Sequence, residues 1–145
     1  MERVKVVSCG FIVFRKDFGR IEFLLIHSKF HGFWSFPKGR MEEGEDMLDT
    51  ALRELKEEVG ISRDALKIYQ NFLRKTTYEY YHAGKIYDKT VYWFLGELKR
   101  DVPVVVDNFE IDKFAWLDFD SALNRLTFEK DKETLKEAYK LIKKL

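Results

Sequence analysis

Between residues 46 and 59 the chain adopts a period that only a helix satisfies. Leu48, Ala51, Leu52, Leu55 and Val59 recur at spacings of three and four, which predicts an amphipathic helix with one face on a core. Gly60 stands where a helix C-cap glycine belongs. The flanks read differently. Residues 4–14 and 21–27 are rich in Val, Ile, Leu and Phe and predict two strands, joined as a hairpin through residues 16–20 with Gly19. Residues 29–44 hold Gly32, Pro37, Gly39 and Gly44 with little periodicity, and predict a loop. Residues 66–81 and 85–98 are long aromatic and β-branched segments expected to pair, with His82, Ala83 and Gly84 between them. A short strand is expected at 114–117 and one or two helical turns at 118–125. Leu135, Ala138, Tyr139 and Ile142 form the stripe of a terminal amphipathic helix over 129–145. Strands, one helix, more strands and a last helix predict an α/β chain with a mixed β-sheet packed between α-helices. No linker or repeat divides it, so residues 1–145 read as a single domain.

Composition removes several classes of function. The chain has 26 Lys plus Arg against 25 Asp plus Glu, without the basic excess of a general nucleic-acid binder. Aromatics make up 16% of residues, enough for a core and for rings at a site. Cys9 is the single cysteine, which excludes an intramolecular disulfide and a Cys-based metal centre. Within the apolar run 6–14 it reads as a buried thiol. No apolar run approaches the roughly 18 residues of a membrane span. The first seven residues alternate charge with valine and do not resemble a signal peptide. A cytoplasmic protein without membrane or stable nucleic-acid partners is expected, as a monomer or weak dimer.

The predicted helix also carries acids. At about 100° per residue, with Glu54 at zero, Glu57 lies near −60° and Glu58 near +40°. The apolar stripe is centred well away from them. Like charges at these spacings repel by a few tenths of a kcal/mol per pair. They also occupy the C-terminal half, where the helix dipole opposes negative charge. A solvated acidic face is one reading of that spacing. A divalent cation is the other, because magnesium takes carboxylate oxygens and bridges to substrate phosphates.

The surrounding stretch, Gly39 to Ile61, reads GRMEEGEDMLDTALRELKEEVGI. It resembles the Nudix box, with Gly39, Glu45, Arg53, Glu54, Leu55, Glu57, Glu58, Gly60 and Ile61 in every defined slot. The resemblance implies a Nudix fold, a mixed sheet sandwiched between helices, and a pyrophosphohydrolase. It implies that Glu54, Glu57 and Glu58 bind divalent metal with Gly39 beside it, magnesium foremost and manganese as the alternative. Gly39 suits close backbone approach, and Glu45 is placed to hold Arg53. The general base is Glu57 or Glu58, or, as in some relatives, an acid from a distant loop, for which Glu110 stands in the matching region.

Outside the box, residues 33–39, 89–94, Trp116-Leu117 and Phe128-Glu129 look like the branch that hydrolyses diadenosine tetraphosphate asymmetrically, to ATP and AMP. That resemblance implies phosphate contacts from Lys38 and Lys89, an adenine sandwich of Tyr78 and Phe128, and a contribution from Trp34. Core packing is the competing reading for the two rings. Tyr80, Tyr81 and Tyr87 are alternative base-pocket residues. The motif before the box departs from the family's His-Trp-x-Pro-Pro-Lys-Gly: Phe33 and Phe36 replace the histidine and the first proline, and His31 lies two residues earlier. Within the same family, 5′-RNA or nucleoside triphosphate pyrophosphohydrolysis is the alternative. A catalytically silent nucleotide-binding domain is disfavoured because every box glutamate is present.

Overall fold

The computed structural model describes residues 1–145. The elements, in order, are β1 (Arg3–Asp17), β2 (Arg20–Ser28), β3 (Trp34–Ser35), β4 (Lys38–Arg40), α1 (Met47–Val59), a 3-10 turn (Arg63–Ala65), β5 (Leu66–Ile68), β6 (Arg74–His82), β7 (Lys85–Leu98), β8 (Ile111–Leu117), α2 (Phe119–Arg125) and α3 (Glu129–Ile142).

β1 organises the sheet. It runs parallel to β7 from Arg3 opposite Ile86 to Phe14 opposite Glu97, and antiparallel to β2 and β4. β8 pairs with β2, and β6 and β5 pair with β7. The strands therefore run β8–β2–β1–β7–β6 across the sheet. Residues 8–14 of β1 are all buried, as expected of a strand covered on both faces. Alternation splits the core in two. Ile12, Phe14, Phe23, Leu25 and Trp93 pack against Ala122, Leu126, Leu135 and Ala138 of the segment carrying α2 and α3. Phe11, Val13, Leu24 and Ile26 pack against Ala51, Leu55 and Val59 of α1. This is the expected mixed sheet between helices.

Local chemistry fixes the joints. Both hairpins turn on two residues with positive φ, Phe18 (49°) and Gly19 (81°), then Ala83 (49°) and Gly84 (76°). Such pairs match the twist of the flanking strands. Asp46 caps α1 by accepting the amide of Asp49 at 2.8 Å, and Gly60 closes it at φ 75°.

Three segments differ from expectation. The loop over 29–44 contains β3 and β4, which fill the gap where β1 and β2 diverge; strands this short carry no readable period. Residues 66–81 are not one strand but β5 and β6. Gln70 and Asn71 turn the chain so that Phe72 enters the core at 1% exposure. The strand expected at 114–117 begins earlier, at Ile111.

Leu55 is fully buried and joins α1 to the sheet. Leu55→Ala should destabilise the fold by about 2–5 kcal/mol, read from the midpoint of chemical denaturation. A loss under about 1 kcal/mol would mean that this face does not hold the helix.

Candidate active site

With Leu55 and Val59 in the core, α1 turns its acidic face into a cavity of about 810 Å³. Glu54, Glu57 and Glu58 line it from the helix and Glu110 from the loop before β8; Lys38, Gly39 and Arg40 line it from β4, and Lys89 from β7. Its size falls within the ordinary range of small-molecule and cofactor sites.

Close backbone approach brings these walls together. A Cβ on Gly10 would lie 2.3 Å from the Pro37 carbonyl oxygen, and one on Gly39 would lie 1.9 Å from the Glu54 carboxyl carbon. Glycine at position 10 lets β1 and the backbone of residue 37 meet at this spacing, and glycine at position 39 leaves the Glu54 carboxylate its present place.

Glu58 is 5% exposed and accepts the Lys38 amide at 3.1 Å. Burial, then the neighbouring charge of Glu54, pushes its carboxyl up to about 8. Burial also raises Glu54, against the pull of Arg53. Arg53 stands behind the cavity and ties the cluster together. It donates to Glu45 at 2.6 and 3.0 Å, to the Arg40 carbonyl at 2.8 Å, to Glu54 at 2.9 Å and to Glu57 at 3.3 Å. The guanidinium lowers Glu45 to about 2. Glu54 and Glu57 thus share one Arg53 nitrogen, and no three acidic side chains are gathered around a common point at metal-ligating distance. The Glu57 side chain is 57% exposed and has room to swing away from Arg53.

The wall formed by β4 and β7 is cationic. Lys89 is half-buried, with Tyr78 opposite it on β6. Burial, then the Lys38 ammonium, pushes Lys89 down to about 7. Two ammonium groups without a salt bridge of their own, in a partly desolvated cavity, favour a polyanion. Asp131, at 2% exposure, accepts the Tyr78 hydroxyl at 3.0 Å. Burial and that carboxylate push the Tyr78 phenol up to about 12.

The remaining expected residues lie apart from the cavity wall. Phe128 immediately precedes α3, 39% exposed, with Phe33 edge-on at 5.1 Å. Lys130, two residues later, lies 5.0 Å over the Tyr78 ring. Tyr78 and Phe128 therefore both border the start of α3. Trp34 is half-buried between His27, at 5.1 Å, and Arg125, at 4.9 Å. His31 lines the cavity and stacks on Phe33 at 5.4 Å. Tyr80 and Tyr87 stack on each other at 5.0 Å near the hairpin tip. Sequence reasoning missed Asp131, Arg40, Phe30, Phe109 and Ser8, whose buried hydroxyl lines the cavity without a hydrogen-bond partner. Asp131 reads locally as one of several acids opening a helix, and nothing nearby marks it.

Comparison with known proteins agrees with this geometry. The family model described as the NUDIX domain matches residues 4–139. The asymmetrical bis(5′-nucleosyl)-tetraphosphatase of Rattus norvegicus is 35% identical over 144 residues, spanning 93% of this chain and 94% of its own. The crystal structure of a C. elegans Ap4A hydrolase binary complex superposes with a TM-score of 0.88 at 27% identity, over 97% of this chain and 99% of that one. An RNA pyrophosphohydrolase of a Sulfurovum species is 30% identical over 122 residues, 78% of this chain and 76% of its own. With the acidic helix, the glycine approach and a match over nearly its whole length in agreement, the chain belongs to the Nudix family of hydrolases.

Proposed function

We propose that the chain hydrolyses diadenosine tetraphosphate asymmetrically, to ATP and AMP, using a divalent cation. Magnesium is the first choice and manganese the alternative. The observation that carries this reading is a single cavity with two half-buried lysines on one wall and four glutamates, Glu54, Glu57, Glu58 and Glu110, among the residues facing them. The 35% identity to the rat tetraphosphatase supports the substrate. We also read residues 1–145 as one catalytic domain, cytoplasmic, and a monomer or weak dimer. No helix is long and apolar enough to cross a membrane.

The residues suit a hard cation. Glu58 is a buried carboxyl crowded by Glu54 and Glu110, and a positive ion removes that cost. Glu54, Glu57 and Glu58, with the Gly39 backbone beside them, would hold it. Bound there, the cation neutralises phosphate charge and lowers the pKa of the attacking water. Lys38 and Lys89 grip the phosphate bridge. Glu110, exposed at the cavity edge, or one of Glu57 and Glu58, takes the water's proton. The water oxygen bonds to phosphorus as the bridging P–O bond breaks, and the freed phosphate oxygen leaves with ATP or AMP. Tyr78 and Phe128 hold an adenine, with Trp34 supporting that side. Arg53, which touches only the acids and backbone here, positions Glu54 and Glu57.

The reaction is checked by incubating the protein with magnesium and diadenosine tetraphosphate and resolving the products by anion exchange. Equal ATP and AMP are expected. Turnover of 5′-triphosphate RNA or nucleoside triphosphates in their place would favour the alternative reading, and binding without turnover a silent domain. Glu57→Gln should cost at least about 10²-fold in kcat; unchanged kcat would remove Glu57 from this role.

A second prediction concerns protons. With Lys89 pushed down to about 7, it is mostly neutral at pH 8, and a bound polyphosphate favours its charged form. Binding of the polyphosphate to magnesium-loaded protein at pH 8 should therefore take up a proton. Calorimetry in buffers of different ionisation enthalpy should detect this, and Lys89→Gln should reduce the uptake. Undiminished uptake in the variant would assign the proton to another group.

A further inference from the structure

The cavity has an outer aromatic rim that plays no part in the mechanism above. Phe30 and Phe109 line it and are 72% and 73% exposed. They stand on two neighbouring loops, residues 29–33 and 107–110. Those loops are braced rather than slack. The Asp107 carboxylate accepts the amides of Phe109, Glu110 and Ile111 at 2.9, 3.1 and 3.0 Å. The Lys29 amide donates to the Glu110 carbonyl at 2.8 Å, and its ammonium to the Asn108 carbonyl at 3.1 Å. Asn108 is held at φ 62°. Asparagine adopts this left-handed conformation readily in turns. A bare ring on a braced loop beside a polar cavity is a platform for a flat ligand.

Its place in the sheet says which ligand. The loop 107–110 leads into β8, at one edge, whereas Tyr78 lies on β6, at the other. Between those strands lie β2, β1 and β7, with β3 and β4 filling the gap between β2 and β1. The lysines and carboxylates lie between. Two aromatic stations either side of a charged trough match two planar bases joined by a polyphosphate chain.

We infer that Phe109, with Phe30 on the neighbouring loop, forms a stacking subsite for the second nucleobase of a dinucleoside polyphosphate, across the sheet from Tyr78. The inference rests on the dinucleotide reading given under Proposed function. The subsite makes the protein discriminate two-base from one-base ligands, because a nucleoside tetraphosphate fills the trough and leaves Phe109 bare. The ring's face, rather than a hydrogen-bond pattern, does the recognising, so the second base is selected for being aromatic more than for its identity.

Titration calorimetry with magnesium-loaded protein tests this through binding alone. The probes are two methylene-bridged, non-hydrolysable ligands: a diadenosine tetraphosphate analogue and the matching adenosine tetraphosphate analogue without the second base. Phe109→Ala should raise Kd for the two-base probe by about 5–100-fold, the range base–aromatic stacking supports. It should leave the one-base probe unchanged. Phe109→Trp should retain the two-base affinity. Equal weakening of both probes, weakening of neither, or no binding of the two-base probe to the unaltered protein overturns the subsite. Thermal melts of each variant check that the fold is intact; Phe109 is exposed, so little change is expected. Turnover of diadenosine tetraphosphate by the unaltered protein is measured in parallel. Its loss would count against the proposed reaction, while the calorimetry reads the subsite independently.

Discussion

The repulsion among three carboxylates on adjacent turns of α1 is the constraint from which the site follows. On an open helix each such pair costs a few tenths of a kcal/mol. Here the cost is larger, because Glu58 is nearly sealed from water and its carboxyl is raised by burial and by Glu54. The helix tolerates this for two reasons. Its opposite face places Ala51, Leu55 and Val59 in the core, where each large side chain contributes about 1.5–3 kcal/mol by leaving water. Arg53 then sets one guanidinium against Glu45, Glu54 and Glu57 together. Arg53 offsets the charge of Glu54 and Glu57 but does not reach Glu58, so the acid facing the cavity most deeply remains without a cationic partner within salt-bridge distance.

The opposite wall mirrors this condition with the sign reversed. Lys89 is pushed down by burial and by Lys38, as Glu58 is pushed up by burial and by Glu54. Near neutral pH both groups shift toward their uncharged forms. For Lys89 the charged form is lost as pH rises through about 7. For Glu58 it is lost as pH falls through about 8. Each wall therefore favours a partner of opposite charge, and a cation together with a polyanion satisfies both at once. Direct pairing of Lys89 with Glu58 would have removed that preference, but the two stand on opposite walls and no salt bridge joins them.

Much of this was legible in the sequence wherever one element sufficed to determine it. The 3.6 period of α1 and its glycine cap are local, and the structure follows them; Glu54, Glu57 and Glu58 line one cavity, but Arg53 holds Glu54 and Glu57 and no three acids meet at one point. β1 was legible as a strand from its run of Val, Ile and Phe with Cys9 buried within it, while its burial on both faces emerges only in the fold. Features that depend on distant partners were not. β3 and β4 exist because β1 and β2 diverge and leave a gap, and no pattern within residues 29–44 records that divergence. Residues 66–81 looked uniform because aromatic and β-branched residues suit a strand wherever they fall. The break at Gln70 and Asn71 is set by the pocket that receives Phe72. Asp131 became distinctive only when α3 docked it under Tyr78.

The same distinction bears on where substrate choice resides. The motif from Gly39 to Ile61 builds α1 and its approach to β4, which supply charge and close packing but little shape. Lys89 and Tyr78 come from paired strands β7 and β6, Asp131 and Phe128 from the start of α3, and Phe30 and Phe109 from loops at the far edge of β2 and β8. These positions meet only because β1 pairs in parallel with β7, a contact between segments about half the chain apart. A fold that holds its acidic helix constant while drawing the remaining walls from such distant segments can change ligand without disturbing its chemistry. Relatives that share the motif and differ in those walls therefore need not share a substrate, and discrimination between a dinucleotide and an RNA end has to be sought on β6, β7, α3 and the loop 107–110.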